Sequence, residues 1–347
     1  GLVCSSFFSV YGRAAAAAGV RLSVCRSSLS SRGGTVTQNG SWKHGRRITT
    51  TGETGAAPWR PGAVRVPPQQ LPAKGIQNYL EDAVRKLRPL NPVSLSVSSR
   101  TDTGVHALSN SAHFDLQRKK DQPPFTEDIL VKALNYHLGT EEIRVTHAHR
   151  VPDNFHARYC ARSRTYVYRI APGISHPTML PLTEHNLCWG FCNTELDIGA
   201  MHEAAALLVG THDFSTFRAV SSDLPFKNPV KTLEVADIRP GASFCLSHFH
   251  RTIPFWELTF RSKSFLYRQV RRMTGALVAV GQGRLSVSQL KDLLEAQDSN
   301  AYPQGLTAPP QGLFLTRVDY MDSGEEVTVS SGKCWIRKVT QRSLFTY

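Results

Sequence analysis

VSLSVSSRTDTGVHALSNSAHFDL, residues 93–116, is the stretch from which the fold is read. Its first seven residues alternate apolar and polar side chains, the period of a half-buried strand. Arg100-Thr101-Asp102-Thr103-Gly104 then breaks the alternation. Asp followed by Thr-Gly is ordinary turn chemistry, Asp satisfying local backbone donors and Gly supplying a positive φ. A second strand resumes near Ala112–Leu116, so the most concentrated polar feature of the region sits between two strands.

Working outward, Ile76, Leu80, Val84 and Leu87 fall at helical spacing and stop before Pro89, a short amphipathic helix. A helix near Thr126–His137 and a strand near Ile143–Val151 follow. The second half uses the same grammar. Strands are predicted near Thr165–Ile170, Thr232–Ile238, Phe244–Phe249, Pro254–Arg261 and Phe314–Tyr320, and helices near Asp197–Val209, Phe265–Val280 and Val287–Leu294. Strands and helices mix without strict βαβα alternation, which predicts an α+β fold with mostly antiparallel pairing. Residues 1–74 show no sustained period and are read as a disordered or targeting leader.

The 347 residues suffice for two packed domains. Lys and Arg number 41 against 27 Asp and Glu, a net charge of +14 that suits a polyanionic partner. The excess is uneven: residues 1–75 hold ten basic side chains and one acid, Glu53, so the body is only mildly basic and a nucleic-acid site there is a local patch. The leader's Arg- and Ser-rich, acid-poor composition is that of a mitochondrial transit peptide. An aberrant leader on a cytoplasmic or nuclear protein reads equally well. The alanine run at 14–18 lies between Arg13 and Arg21, and no apolar stretch reaches the length of a membrane span. Seven cysteines, odd in number and without a C-x-x-C pair, suggest neither a disulfide framework nor a zinc knuckle.

The string R-T-D-x-G-V-H-A at 100–107 closely resembles the active-site motif of the tRNA pseudouridine synthase A family, and its flanks look like the tRNA pseudouridine synthase-like 1 branch. Seven fixed letters at fixed spacing make chance agreement rare. Further matches follow in the family's order: Asp153–Arg158 resembles D-x-F-H-A-R, Arg164–Arg169 resembles R-x-Y-x-Y, Gly210–Arg218 resembles G-x-x-D-F-x-x-F-R, and Phe265–Gly275 resembles F-x-x-x-x-V-R-x-x-x-G. The resemblance covers about residues 76–320. It implies two ferredoxin-like halves sharing a largely antiparallel central sheet: an N-terminal catalytic half (75–150) and a C-terminal half (151–322), followed by a tail (323–347).

The resemblance also implies a reaction, the isomerisation of uridine to pseudouridine in tRNA, needing no metal, nucleotide or organic cofactor, and commonly a homodimer. Asp102 matches the catalytic carboxylate. Breaking N1–C1′ and rejoining the base through C5 calls for an ionised oxygen acting as nucleophile or general base, which Asn could not supply. Arg271, on the flank of a helix whose stripe is Leu266, Val270, Met273, Leu277 and Val280, matches the arginine that faces that Asp; Arg268 and Arg272 point away. Tyr166 matches the active-site tyrosine, which would stack on the extruded uracil and help remove its C5 proton. Arg100, Arg158, Arg162, Arg164 and Arg169, interleaved with Tyr159 and Tyr166, suit a phosphate-lined RNA cleft, to which Arg218 and Lys227 would add. His106 and His113 lack a partner at metal spacing and are read as structural or RNA contacts. A metal site is not expected, nor a zinc deaminase, for which H-x-E and P-C-x-x-C are wanting.

One family feature finds no match, the strand and turn that precede the helix at Ile76. Its loss would leave a sheet edge unpaired. That supports a second reading, an RNA-binding protein that keeps the fold without catalysing.

Overall fold

The computed structural model describes residues 7–14, 18–26, 75–119, 121–139, 141–174, 176, 179–192, 195–220, 228–243, 253–320, 327–330 and 333–336. Its elements in chain order are β1 (Phe7–Ala14), β2 (Ala18–Arg26), α1 (Ile76–Lys86), β3 (Ser96–Val97), β4 (His106–Asp115), α2 (Glu127–Leu138), β5 (Ile143–Arg150), β6 (Ala161–Pro172), β7 (Trp189–Phe191), α3 (Ile198–Leu208), β8 (Gly210–Asp213), β9 (Val230–Gly241), β10 (Phe255–Ser262), α4 (Gln269–Gly281), α5 (Val287–Glu295), β11 (Leu313–Tyr320), β12 (Val327–Ser330) and β13 (Lys333–Ile336). Local chemistry accounts for several boundaries. Asp197 accepts from the Ala200 N–H at 2.8 Å to start α3, and Ser286 with Gln289 closes a capping box on α5.

Strands β1 to β11 form one mixed but mostly antiparallel sheet, and β12 pairs with β13 apart from it. At its centre β4 runs parallel to β11, β11 antiparallel to β6, β6 to β10, and β10 to β9. Ala107, Leu315, Tyr166, Phe260 and Ala236 are successive register partners across those five strands. The turn that ends at β4 therefore lies two strands from Tyr166. Such a register is fixed because a slip of one residue would send every side chain to the opposite face.

Two large cores and a small one, around Ile174, Cys188 and Phe255, flank the sheet. Leu80, Val84, Leu130, Leu134 and Leu138 of α1 and α2 pack with Phe114, Ile143 and Val145. A larger cluster joins α3, α4 and α5 to β6, β9, β10 and β11 through Met201, Leu208, Tyr168, Leu258, Phe260, Met273 and Leu277. Helix α4 is buried along almost its whole circumference, not on one stripe as its spacing predicts. The reason is that residues 302–309 cover the side the periodicity leaves to solvent: a Cβ on Gly275 would stand 1.7 Å from the Leu306 carbonyl oxygen, and the Ala308 N–H donates to the Arg271 carbonyl at 3.1 Å.

The N-terminal reading needs correction. Part of what the sequence suggests is leader forms two strands: β1 pairs antiparallel with β2, β2 runs antiparallel to β4, and β1 parallel to β5. Gly19–Arg26 in fact alternates, with Val20, Leu22 and Val24 against Arg21, Ser23 and Cys25. These strands end about fifty residues before the helix at Ile76, far from the position that the family pattern suggests. The ground for a sheet edge left bare is thereby removed. Strand β3 is shorter than VSLSVSS predicts, and β4 is longer than Ala112–Leu116 because most of His106–Phe114 is buried on both faces and has no need to alternate. The strand expected at Phe244–Phe249 and Lys227 lie outside the described residues.

Candidate active site

The turn after β3 is held from both sides. Gly104 adopts φ +82°, and the Val105 N–H donates to the Asp102 carbonyl at 3.1 Å. A side chain at Gly104 would be strained in that conformation and would press on Pro310, 3.1 Å from the added Cβ. On the strand side, Asn110 Nδ2 donates to the Ser99 carbonyl at 2.9 Å and Ser98 Oγ to Asn110 Oδ1 at 2.6 Å. Arg164 on β6 braces the same turn: Nε donates to Ser99 Oγ at 3.0 Å, and Nη2 to the Ser98 carbonyl at 3.0 Å and the Arg158 carbonyl at 2.8 Å. Burial pushes its pKa down from the ordinary guanidinium value.

The result is a cleft of about 680 Å³ that contains Asp102, Tyr166 and Arg271 together. Arg271 comes from the first turn of α4. Its Nη1 donates to Asp102 Oδ2 at 3.0 Å while its Nε donates to the Ala308 carbonyl at 2.8 Å. The pair is partly shielded, the side chains 11% and 25% exposed respectively. One carboxylate oxygen is thus fixed by a guanidinium that is itself fixed by the backbone, and the other makes no hydrogen bond to the described residues. Tyr166 packs edge-on against Phe265, ring centroids 5.2 Å apart. Burial, foremost, raises the Tyr166 phenol above its ordinary value, so it stays protonated at neutral pH.

The lining is strongly one-signed. Arg100, Arg158, Arg164, Arg268 and Arg271 line it, with Asp102 the sole acid among the described residues there, and Tyr159, Tyr166, Phe265 and Tyr267 supply aromatic surface. Cations with aromatic faces are what a single-stranded nucleotide needs, phosphate being held by one and the base by the other.

Three relatives compare closely. The chain is 55% identical over 247 residues to the tRNA pseudouridine synthase-like 1 of Xenopus laevis, covering 71% of this chain and 82% of that one. To the Homo sapiens protein of the same name it is 50% identical over 254 residues, covering 73% and 83%. To the tRNA pseudouridine synthase A of Afipia carboxidovorans it is 40% identical over 246 residues, covering 71% and 89%. The family model described as tRNA pseudouridine synthase matches residues 204–321, which include Arg271. The chain belongs to the tRNA pseudouridine synthase family.

Of the residues singled out in the sequence, Arg100, Arg158, Tyr159 and Arg164 line the cleft with Asp102, Tyr166 and Arg271, and Arg162, Arg169, His106 and Arg218 stand elsewhere. Arg162 is exposed on β6 outside it. Arg169 is 2% exposed, its Nη1 donating to Glu184 Oε2 at 2.8 Å, so it serves the core and not RNA. His106 is buried too, stacked on Phe314 at 4.7 Å and hydrogen-bonded to the Asn186 carbonyl. The Arg218 carbonyl accepts from Arg272 Nη1, and Arg218 is not in the cleft wall. Arg272 itself does not point to solvent: its Nη1 also reaches the Thr216 carbonyl at 2.9 Å. Arg268 is a cleft residue that helical spacing hides. It precedes α4 with φ +56°, is exposed, and lies 5.0 Å from the Tyr267 ring centroid. A wheel drawn through Phe265–Val280 places it on the outer face, because the chain there is a turn and not yet helix.

Proposed function

We propose that this chain isomerises uridine to pseudouridine in tRNA at the cleft, with Asp102 as the catalytic carboxylate. The single observation that carries the assignment is the Asp102–Arg271 pair at 3.0 Å, facing the same cleft as Tyr166. Family membership supports the reaction class, since the relatives are named for it.

The rearrangement breaks N1–C1′, turns the base, forms C5–C1′, loses the C5 proton and gains one at N1, with no net change of atoms. No oxidant or energy source is required. Asp102 acts with its charged form as nucleophile or general base; Arg271 opposes the desolvation of that charge once a base closes the cleft, by Coulomb attraction strengthened in low dielectric. Tyr166 serves as a stacking surface for the extruded uracil, and its hydroxyl helps remove the C5 proton. The exposed arginines of the lining, Arg100, Arg158 and Arg268, hold the phosphates around the target and offset the cost of extruding it, a few kcal/mol.

Tritium release from tRNA labelled at uracil C5 tests the reading. The wild-type chain should release label and Asp102→Asn should not, with tRNA affinity retained in both. Equal release by the two proteins would remove Asp102 from the chemistry; tRNA binding without release by either would favour the binding-only function.

The finer features belong to the same proposal. The two helix-and-sheet cores meeting at the β4–β11 pair support two ferredoxin-like halves. The basic, acid-poor composition of residues 1–75 supports a mitochondrial destination; imaging the full chain as a fluorescent fusion tests it, and diffuse cytosolic or nuclear signal would overturn it. Homodimer formation is supported by the family resemblance and is read by sedimentation.

A further inference from the structure

Resting on the reading of the cleft as a tRNA site, we infer that Tyr159 is a second stacking platform, which receives the base of a nucleotide flanking the target uridine. Of the three tyrosines that line the cleft, Tyr166 and Tyr159 stand in opposite situations. Tyr166 is 8% exposed and packed edge-on against Phe265, at the closed end where Asp102 and Arg271 meet. Tyr159 is 49% exposed on the same lining. An aromatic ring half open to water in a cleft wall is apolar area kept uncovered in the empty protein, and a nucleobase covers it.

The ring is preorganised. His156 backs it at 4.4 Å between centroids, and His113 in turn stands 4.6 Å from His156. His156 Nδ1 accepts from the Arg158 N–H at 3.1 Å, and His113 Nδ1 accepts from the Ala157 N–H at 3.2 Å. Tyr320 Oη donates to the Ala157 carbonyl at 2.6 Å, and the Cys160 N–H to the His156 carbonyl at 2.9 Å. The turn carrying Tyr159 is therefore held through consecutive backbone groups, so stacking on it costs little ordering entropy. The Arg158 guanidinium, 5.8 Å from the Tyr159 centroid, puts a cation beside the platform where the phosphate of the same nucleotide would lie. Stacking is indifferent to base identity, because every base has a π-face. Tyr159 thus contributes affinity and register, while recognition of uracil stays at the Tyr166 end.

The test is a binding cycle on full-length protein with two probes, an unmodified tRNA transcript and the same transcript with abasic sugars flanking the uridine at the centre of the footprint that the bound wild-type chain leaves. Tyr159→Ala should weaken binding of the intact transcript by about 5- to 150-fold, the loss of one base stack. Tyr159→Phe should bind as wild type, since the ring and not the hydroxyl acts. The slope of log affinity against log salt should be unchanged in Tyr159→Ala but shallower by about one in Arg158→Gln, which removes a phosphate contact. On the abasic transcript the wild-type and Tyr159→Ala proteins should bind alike. An equal Tyr159→Ala loss on intact and abasic transcripts would overturn the proposal, as would an unchanged affinity or a matching loss in Tyr159→Phe. The binding cycle is read independently of tritium release, so failure of the isomerase reading shows as absent release with the cycle intact, and failure of the platform as release with no coupling.

Discussion

At the residue scale the site depends on how one arginine divides its donors. Arg271 Nε holds the Ala308 carbonyl and Nη1 holds Asp102 Oδ2, two directions that a planar fork spans and a single ammonium does not. Arg271→Lys keeps the charge but loses the second anchor, letting the carboxylate swing. Misplacement of a reacting group by about 1 Å costs on the order of 10²-fold in rate. Steady-state kinetics of Arg271→Lys should therefore show kcat reduced by about 10²-fold with KM little altered; a change confined to KM would mean that Arg271 holds RNA and not Asp102. Motif spacing made Asp102, Tyr166 and Arg271 legible as chemistry because their residue types suit the reaction. It did not separate Arg164, which braces the Asp102 turn, from Arg169, which is spent on Glu184. Both are arginines on one strand, and odd and even positions point to opposite faces of the sheet.

At the element scale, α4 brings Arg271 to the turn only because a connecting segment lies directly against it. Gly275 is where that contact is closest, and any Cβ there meets the Leu306 backbone oxygen. In Gly275→Ala the segment through Ala308 must move away, taking with it the carbonyl that anchors Arg271. Urea denaturation should show a loss of about 1–3 kcal/mol, the usual cost of overpacking, and tritium release should fall in parallel. Unchanged stability would mean that the segment relaxes freely. The helix itself was visible in the sequence from Val270, Met273, Leu277 and Val280. Its second covered face was not, since Gly275 carries no side chain to announce it and is covered by Leu306 and Ala308, some thirty positions later.

Across the whole molecule, burial acts on several ionisable groups in one direction. It raises the phenols of Tyr166, Tyr168 and Tyr302, and pushes the Cys188 thiol up to about 12. Above the ordinary thiol and phenol values of 9.0 and 10.0, the unfolded chain releases these protons while the folded chain retains them. The folded state then binds more protons, and stability falls as pH rises. This contribution is fully present below about pH 8.5 and is lost progressively above it. Thermal melts taken from about pH 8 upward should show a falling midpoint, with phenolate absorbance of the buried tyrosines appearing together with unfolding. Phenolate formation that precedes unfolding would show these rings to be open to solvent.

What could be read along the chain is local and chemical: the period of the five helices and of the longer strands of the body, the turn at Arg100–Gly104, and the family motifs with their carboxylate, phenol and guanidinium. These follow from neighbours a few positions apart, where backbone period and residue type suffice. Only the tertiary structure decided that β1 and β2 join the sheet, that Arg169 and His106 belong to the core while Arg268 and the open ring of Tyr159 belong to the cleft, and that Asp102 meets Arg271 across 169 positions. Each of those outcomes depends on which surfaces are removed from water by distant parts of the chain, and that is a property of packing.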